Sequence, residues 1–230
     1  MRRILVAGAS GGTGRHVLSA LSGRDATVRA LTRSAEKAAS LEALGADEVV
    51  TGDLLDSDDA ARAAADCDAV LCAVGTDYGP ALLGDLVDGT GTVNLVEVAE
   101  AAGVEQFVLV STIGVGDSRA GASLVTRLTL RFTGILAAKE RAERRLRESD
   151  LAHTIFRPGA LSDRPATDAV LAGEGGDTVR GSISRADLAR VMVAALDTPA
   201  ARDRTFEVVS EEGCLGEPRG LIDVDWAFPE

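Results

Sequence analysis

The chain has 230 residues, 46% of them hydrophobic, and a formal net charge of −12, which suits one large domain with a buried core and leaves little room for two. No apolar run approaches the roughly 18–20 residues that span a bilayer, and an acidic surface works against nucleic acid, whose phosphates call for a basic one. The acid is dispersed along the chain, and lysine occurs only at Lys37 and Lys139; a salt-adapted (halophilic) protein has such a surface, and a GC-rich genome that trades Lys for Arg gives the same bias.

In chain order, the run Ile4-Leu-Val-Ala7 predicts a first strand at 3–7. It is too short for the apolar core of a signal peptide and points to a cytoplasmic protein. The turn Gly8-Ala-Ser-Gly-Gly-Thr-Gly14 follows, then a helix at about 13–22. A strand that passes through glycines into a helix aims backbone N–H groups and the positive helix end at one spot, where a pyrophosphate is stabilised. One of Gly8, Gly11 and Gly14 allows a sharp turn, one a close approach to phosphate, and one the packing of helix on sheet. Their spacing, G-x-x-G-x-x-G, departs from the usual G-x-G-x-x-G.

A second strand, 27–32, ends at Arg33 and Ser34. An NAD enzyme keeps an acid here for the ribose 2′-hydroxyl; a guanidinium suits a 2′-phosphate, so NADP is expected over NAD. Ser34 adds a hydroxyl and Lys37 a charge, or Ser34 only caps helix 35–43 while Arg33 is solvated. Strand 47–51 leads to Gly52-Asp53-Leu54, where Asp53 suits the adenine amino group and Leu54 the ring; Asp53 or Asp56 equally suits a cap for helix 57–66. Strand 69–73 runs into Ala73, Val74 and Gly75, small residues that let a ribose lie close.

Helix 85–102 and strand 106–111 come next, then helices at 122–149 and 184–196 around strand 153–157, and a strand at 205–209. Strands alternating with helices predict an α/β protein with a doubly wound parallel sheet, the Rossmann fold, in order 3-2-1-4-5-6 with a possible seventh strand. A single domain over 1–212 and a surface tail over 213–230 are expected. The stretch 114–133 reads either as a mobile lid or as a helix packed on the core. Cys67, Cys72 and Cys214 lack C-x-x-C spacing, so neither disulfides nor a metal site is expected.

Gly8-Ala-Ser-Gly-Gly-Thr-Gly14, Leu31-Thr-Arg-Ser34, Gly52-Asp-Leu54, Val110-Ser-Thr-Ile-Gly114, Thr154-Ile-Phe-Arg-Pro-Gly-Ala-Leu161 and Ile183-Ser-Arg-Ala-Asp-Leu188 together resemble the atypical short-chain dehydrogenases/reductases of the NAD(P)H-binding, NmrA-like group, including the biliverdin reductase B/flavin reductase type. The resemblance implies that Ser10, Gly12 and Thr13 line the diphosphate, Arg33 the 2′-phosphate, Asp53 and Leu54 the adenine, and Ala73 to Gly75 the adenosine side. It implies that Ser111 and Thr112 face the nicotinamide, beside a loop formed by Pro158, Gly159 and Leu161.

The departures bear on chemistry. Full members use Tyr-x-x-x-Lys, the tyrosine moving the proton at a carbonyl oxygen. Lys139 stands in the right segment, but the residue four before it is Ile135. Lys139 either grips the nicotinamide ribose or is an ordinary helix residue paired with acids. Tyr78 is a substitute donor or a packing residue of its loop; His16 and His153 are weak candidates, and Gly159 stands where flavin-reducing relatives carry a histidine. No catalytic triad or nucleophile elbow can be assembled.

Two functions follow as expectations. One is an NADP(H)-dependent reductase passing hydride to a flavin, quinone or similar conjugated acceptor, which needs no tyrosine. The other is a non-catalytic NADP(H)-binding redox sensor of the NmrA kind. Epimerase or dehydratase chemistry on a nucleotide sugar is disfavoured, the tyrosine and a substrate domain both being absent. Monomer and homodimer remain equal expectations.

Overall fold

Seven aliphatic runs become parallel strands. The computed structural model describes residues 1–75, 86–121 and 134–228. Its first half alternates β1 (Arg2–Ala7), α1 (Gly12–Leu21), β2 (Ala26–Thr32), α2 (Ala38–Glu42), β3 (Glu48–Thr51), α3 (Ser57–Ala64), β4 (Ala69–Cys72), α4 (Thr92–Ala101) and β5 (Gln106–Val110). The second half adds α5 (Ile135–Arg147), β6 (Ala152–Pro158), β7 (Ala160–Ser162), β8 (Val170–Gly173), β9 (Ser182–Ser184), α6 (Arg185–Ala195), β10 (Arg204–Ser210) and β11 (Leu221–Ile222).

The sheet runs β3-β2-β1-β4-β5-β6-β10, all parallel, which is the expected order with its seventh strand. Beyond β10, β8 pairs antiparallel and β11 pairs antiparallel to β8. Register aligns Ala7 with Leu31 and Cys72, and Cys72 with Leu109. The turns that leave β1, β2, β4 and β5 therefore emerge at one edge.

Both faces are covered, which is why the strands read as unbroken apolar runs. Val6, Leu71, Val108 and Phe156 pack with Val17, Leu18 and Leu21 of α1 and Leu188, Val191 and Met192 of α6. Leu5, Val70, Leu109 and Ile155 face the other way, onto Ala60 and Ala63 of α3, Leu95 and Val96 of α4 and Leu146 of α5.

Three expected elements differ in detail. The helix expected at 35–43 is a 3₁₀ turn, Ala35–Lys37, leading into α2, and that expected at 85–102 opens with a π-helical turn, Val87–Gly91. Of the stretch 114–133, residues 116–121 form 3₁₀ turns, while 122–133 lie outside the described residues. In the C-terminal segment, β11 extends the sheet, and the Trp226 ring lies 5.7 Å from Phe156 and 5.4 Å from Phe206.

The chain after β6 is anchored by one acid. Ser184 caps α6 through the Asp187 N–H, and the buried Asp187 carboxylate accepts the N–H groups of Thr167 (2.7 Å) and Asp168 (3.0 Å) and the Ser210 hydroxyl (2.8 Å). Burial alone would raise its pKa, but these donors outweigh it and hold the carboxyl below the usual aspartate value. Asp187→Ala leaves several buried donors unmatched and is expected to cost about 3 kcal/mol in urea unfolding; a loss under about 1 kcal/mol would contradict the anchoring role.

Candidate coenzyme-binding site

At the edge where the strands end, glycine is required twice by the fold itself. Gly8 has φ +78°, and a Cβ there would lie 2.7 Å from the Ala73 carbonyl oxygen and 2.9 Å from the Val74 nitrogen. Gly8 thus lets the turn press against the chain leaving β4. A Cβ at Gly14 would lie 2.1 Å from the Gly8 oxygen, so α1 can start this close to its own turn only without a side chain. The Gly11 N–H closes the turn on Gly8 O at 3.0 Å. No side chain among the described residues caps α1, and Gly11 and Gly12 are exposed while Thr13 is buried and Ser10 half-buried. An uncapped helix end headed by two exposed glycines fits the pyrophosphate of a dinucleotide.

The residues expected on the adenosine side stand at the ends of β2, β3 and β4. Arg33 is exposed and forms no ion pair with any described residue. Ser34 occupies the cap position of the 3₁₀ turn without capping it; its hydroxyl donates to the Glu36 carboxylate at 2.7 Å. Asp56, not Asp53, caps α3, accepting the Asp58 N–H at 2.8 Å. Asp53 is half-buried and accepts the Leu55 N–H at 3.0 Å, and Leu54 beneath it is buried. Ala73 and Val74 flank the glycine turn, and Gly75 is exposed beyond them.

Across the turn, α5 and the π-helical turn bring a further group to the ends of β4 and β5. The Lys139 ammonium lies 2.8 Å from the Asp88 carboxylate and 3.2 Å from the Val110 carbonyl, with Asp88 buried. Lys139 is therefore set at the sheet edge rather than on a solvated helix face. Ile135, four residues before it, is buried at the head of α5. Ser111 is buried and its Oγ has no hydrogen-bond partner among the described residues, although it sits close enough to the Glu143 carboxylate to help lower that group's pKa. Thr112 is half-buried, its hydroxyl 3.2 Å from the Ile113 carbonyl. Tyr78 lies outside the described residues.

Pro158 is buried, Gly159 half-buried and Leu161 exposed. A Cβ at Gly159 would lie 2.4 Å from the Gly181 oxygen, so a histidine has no room there. Beneath this loop Arg157 forms a buried two-pronged pair with Glu143, at 3.0 and 2.7 Å, and also bonds Asp117. The sequence reading missed Asp88, Glu143 and Arg157. Asp88 and Arg157 are charged residues in small-residue and apolar stretches, a signal that was available, whereas Glu143 stands in the charged run 139–148 and gives no such signal. Burial pushes the Cys72 thiol up to about 11, which rules it out as a nucleophile at neutral pH. No metal-ligating cluster occurs among the described residues, nor is any helix there long and apolar enough to cross a membrane.

A doubly wound sheet with an uncapped glycine turn at its switch edge defines a dinucleotide-binding protein of the oxidoreductase fold. Residues 8–199 match the family described as NAD(P)H-binding, and the chain belongs to it. A protein of Bacillus subtilis (strain 168) described as an uncharacterized sugar epimerase is 31% identical over 220 residues, covering 94% of this chain and 97% of that protein. Among solved structures, a putative NAD-dependent epimerase/dehydratase from Bacillus halodurans superposes with a TM-score of 0.81 at 30% identity, covering 95% and 96% of the two chains. An anaerobilin reductase from Escherichia coli O157:H7 gives 0.80 at 26%, covering 91% and 98%.

Proposed function

We propose that this protein is an NADP(H)-dependent reductase that passes hydride to a flavin, quinone or similar conjugated acceptor. The observation that carries the reading is Ile135, buried in the place of the proton-donating tyrosine, while Lys139 is still held at the sheet edge by Asp88 and the Val110 carbonyl. A carbonyl or sugar hydroxyl needs an acid or base at its oxygen when hydride moves. A conjugated acceptor draws its proton from water, so the residues at this edge need only bind and orient it.

The nicotinamide supplies the hydride. The glycine turn and the amino end of α1 hold the pyrophosphate, Arg33 selects the 2′-phosphate, and Asp53 with Leu54 seats the adenine. Lys139 stands where it can reach the second ribose. Thr112, with its hydroxyl at the end of β5, donates to the acceptor as negative charge builds on it, and Ser111 lies behind. The anaerobilin reductase among the structural neighbours supports reduction; the epimerase names of two others are outweighed by Ile135.

A non-catalytic redox sensor is the competing reading, and the same absent donor favours it. Steady-state NADPH oxidation with a panel of flavins and quinones in high salt separates the two. The reductase turns over at least one acceptor, and Thr112→Ala lowers kcat about 10- to 100-fold by removing one hydrogen bond to developing charge. Tight NADPH binding with no turnover on any acceptor would point to the sensor.

A further inference from the structure

Gly12, the first residue of α1, is exposed, yet a Cβ on it would lie 2.7 Å from Arg185 Cδ and 2.8 Å from Arg185 Nε. The stem of Arg185, the first residue of α6, thus lies across the amino end of α1 in the room a side chain at position 12 would take. Its guanidinium is held by Asp163 at 2.6 Å; the Asp163 side chain is 85% exposed and that of Arg185 27%. Asp163 opens a short exposed span, 163–166, between strand β7 and the Thr167–Asp168 turn that Asp187 pins. A permanent cation thus lies beside the proposed pyrophosphate seat, tethered by an acid on a loop with fixed ends.

We infer that Arg185 is a cationic ligand of the coenzyme diphosphate, drawn from Asp163 when the coenzyme binds, so that the pair latches loop 163–166 to coenzyme occupancy. The inference rests on the dinucleotide reading above. A diphosphate offers two charges and several acceptors at short range, whereas Asp163 offers one carboxylate largely in water, where an ion pair is worth little. Every nicotinamide dinucleotide carries the diphosphate, so Arg185 acts on NADPH and NADH alike.

Affinities for NADPH and NADH, measured by equilibrium titration on the full chain, test the latch. Arg185→Gln should weaken both about 10-fold. Asp163→Asn, a change at an exposed side chain that leaves the fold intact, should tighten both about threefold by removing the competitor. In the Arg185→Gln background the same change should do nothing. Arg185→Gln binding as tightly as wild type, Asp163→Asn without tightening, or tightening that persists in the double variant overturns the latch while the coenzyme reading stands. Wild type that binds neither nucleotide overturns both.

Discussion

Arg33→Asp is expected to weaken NADPH at least about 100-fold while changing NADH less than about threefold, because a charge-assisted pair worth about 1.5–3 kcal/mol is lost and a repulsion replaces it. Arg33 stands exposed at the end of β2 with no ion pair among the described residues, so its removal disturbs no packing. The aspartate supplies the carboxylate to which a ribose 2′-hydroxyl donates. Titration of both nucleotides against both proteins checks this, and equal loss for the two would refute the 2′-phosphate role.

Glu143→Gln is expected to cost about 3 kcal/mol in urea unfolding, the lower end for breaking a buried pair. It strands Arg157, which is 4% exposed and keeps only Asp117, itself largely in water. Burial by itself would raise the Glu143 pKa, but hydrogen bonds and attraction from Arg157, with help from Ser111 and Arg147, outweigh it and hold the carboxyl below its usual 4.5. The folded value lies below the unfolded one, so this stability is fully present above about pH 4.5 and is lost as pH falls through the folded value. The variant should therefore show a flatter acid limb than wild type between neutral pH and about pH 3. An unchanged urea midpoint, or an identical acid limb, would contradict the assigned role.

The seven parallel strands were legible because each is an aliphatic run covered on both faces, and the glycine spacing located the β1–α1 turn. Elements set by long-range contact were not. The strands β7, β8, β9 and β11 span two to four residues each. β8 and β11 owe their pairing to the sheet edge, and β7 and β9 pair with each other apart from it, neither of which leaves a period in the sequence. At the candidate site, the position of Arg33, Asp53 and the Ala73–Gly75 edge just after a strand followed from the strand pattern. Lys139 was left between two roles because its partner, Asp88, sits on a π-helical turn opened by Val87 and closed by Gly91, a local distortion no periodicity announces. The Glu143–Arg157 pair joins a helix to a strand in three dimensions, and only the charge of Arg157 in an apolar strand hinted at it.

The central claim, a pyrophosphate seated on the amides at the head of α1 with Arg33 on the 2′-phosphate, is tested most directly by a crystal structure of the complex with NADP. The account predicts diphosphate oxygens within hydrogen-bond distance of the Gly12 and Thr13 N–H groups and the 2′-phosphate on the Arg33 guanidinium. A dinucleotide seated elsewhere on the sheet, or one whose 2′-phosphate turns away from Arg33, would contradict it.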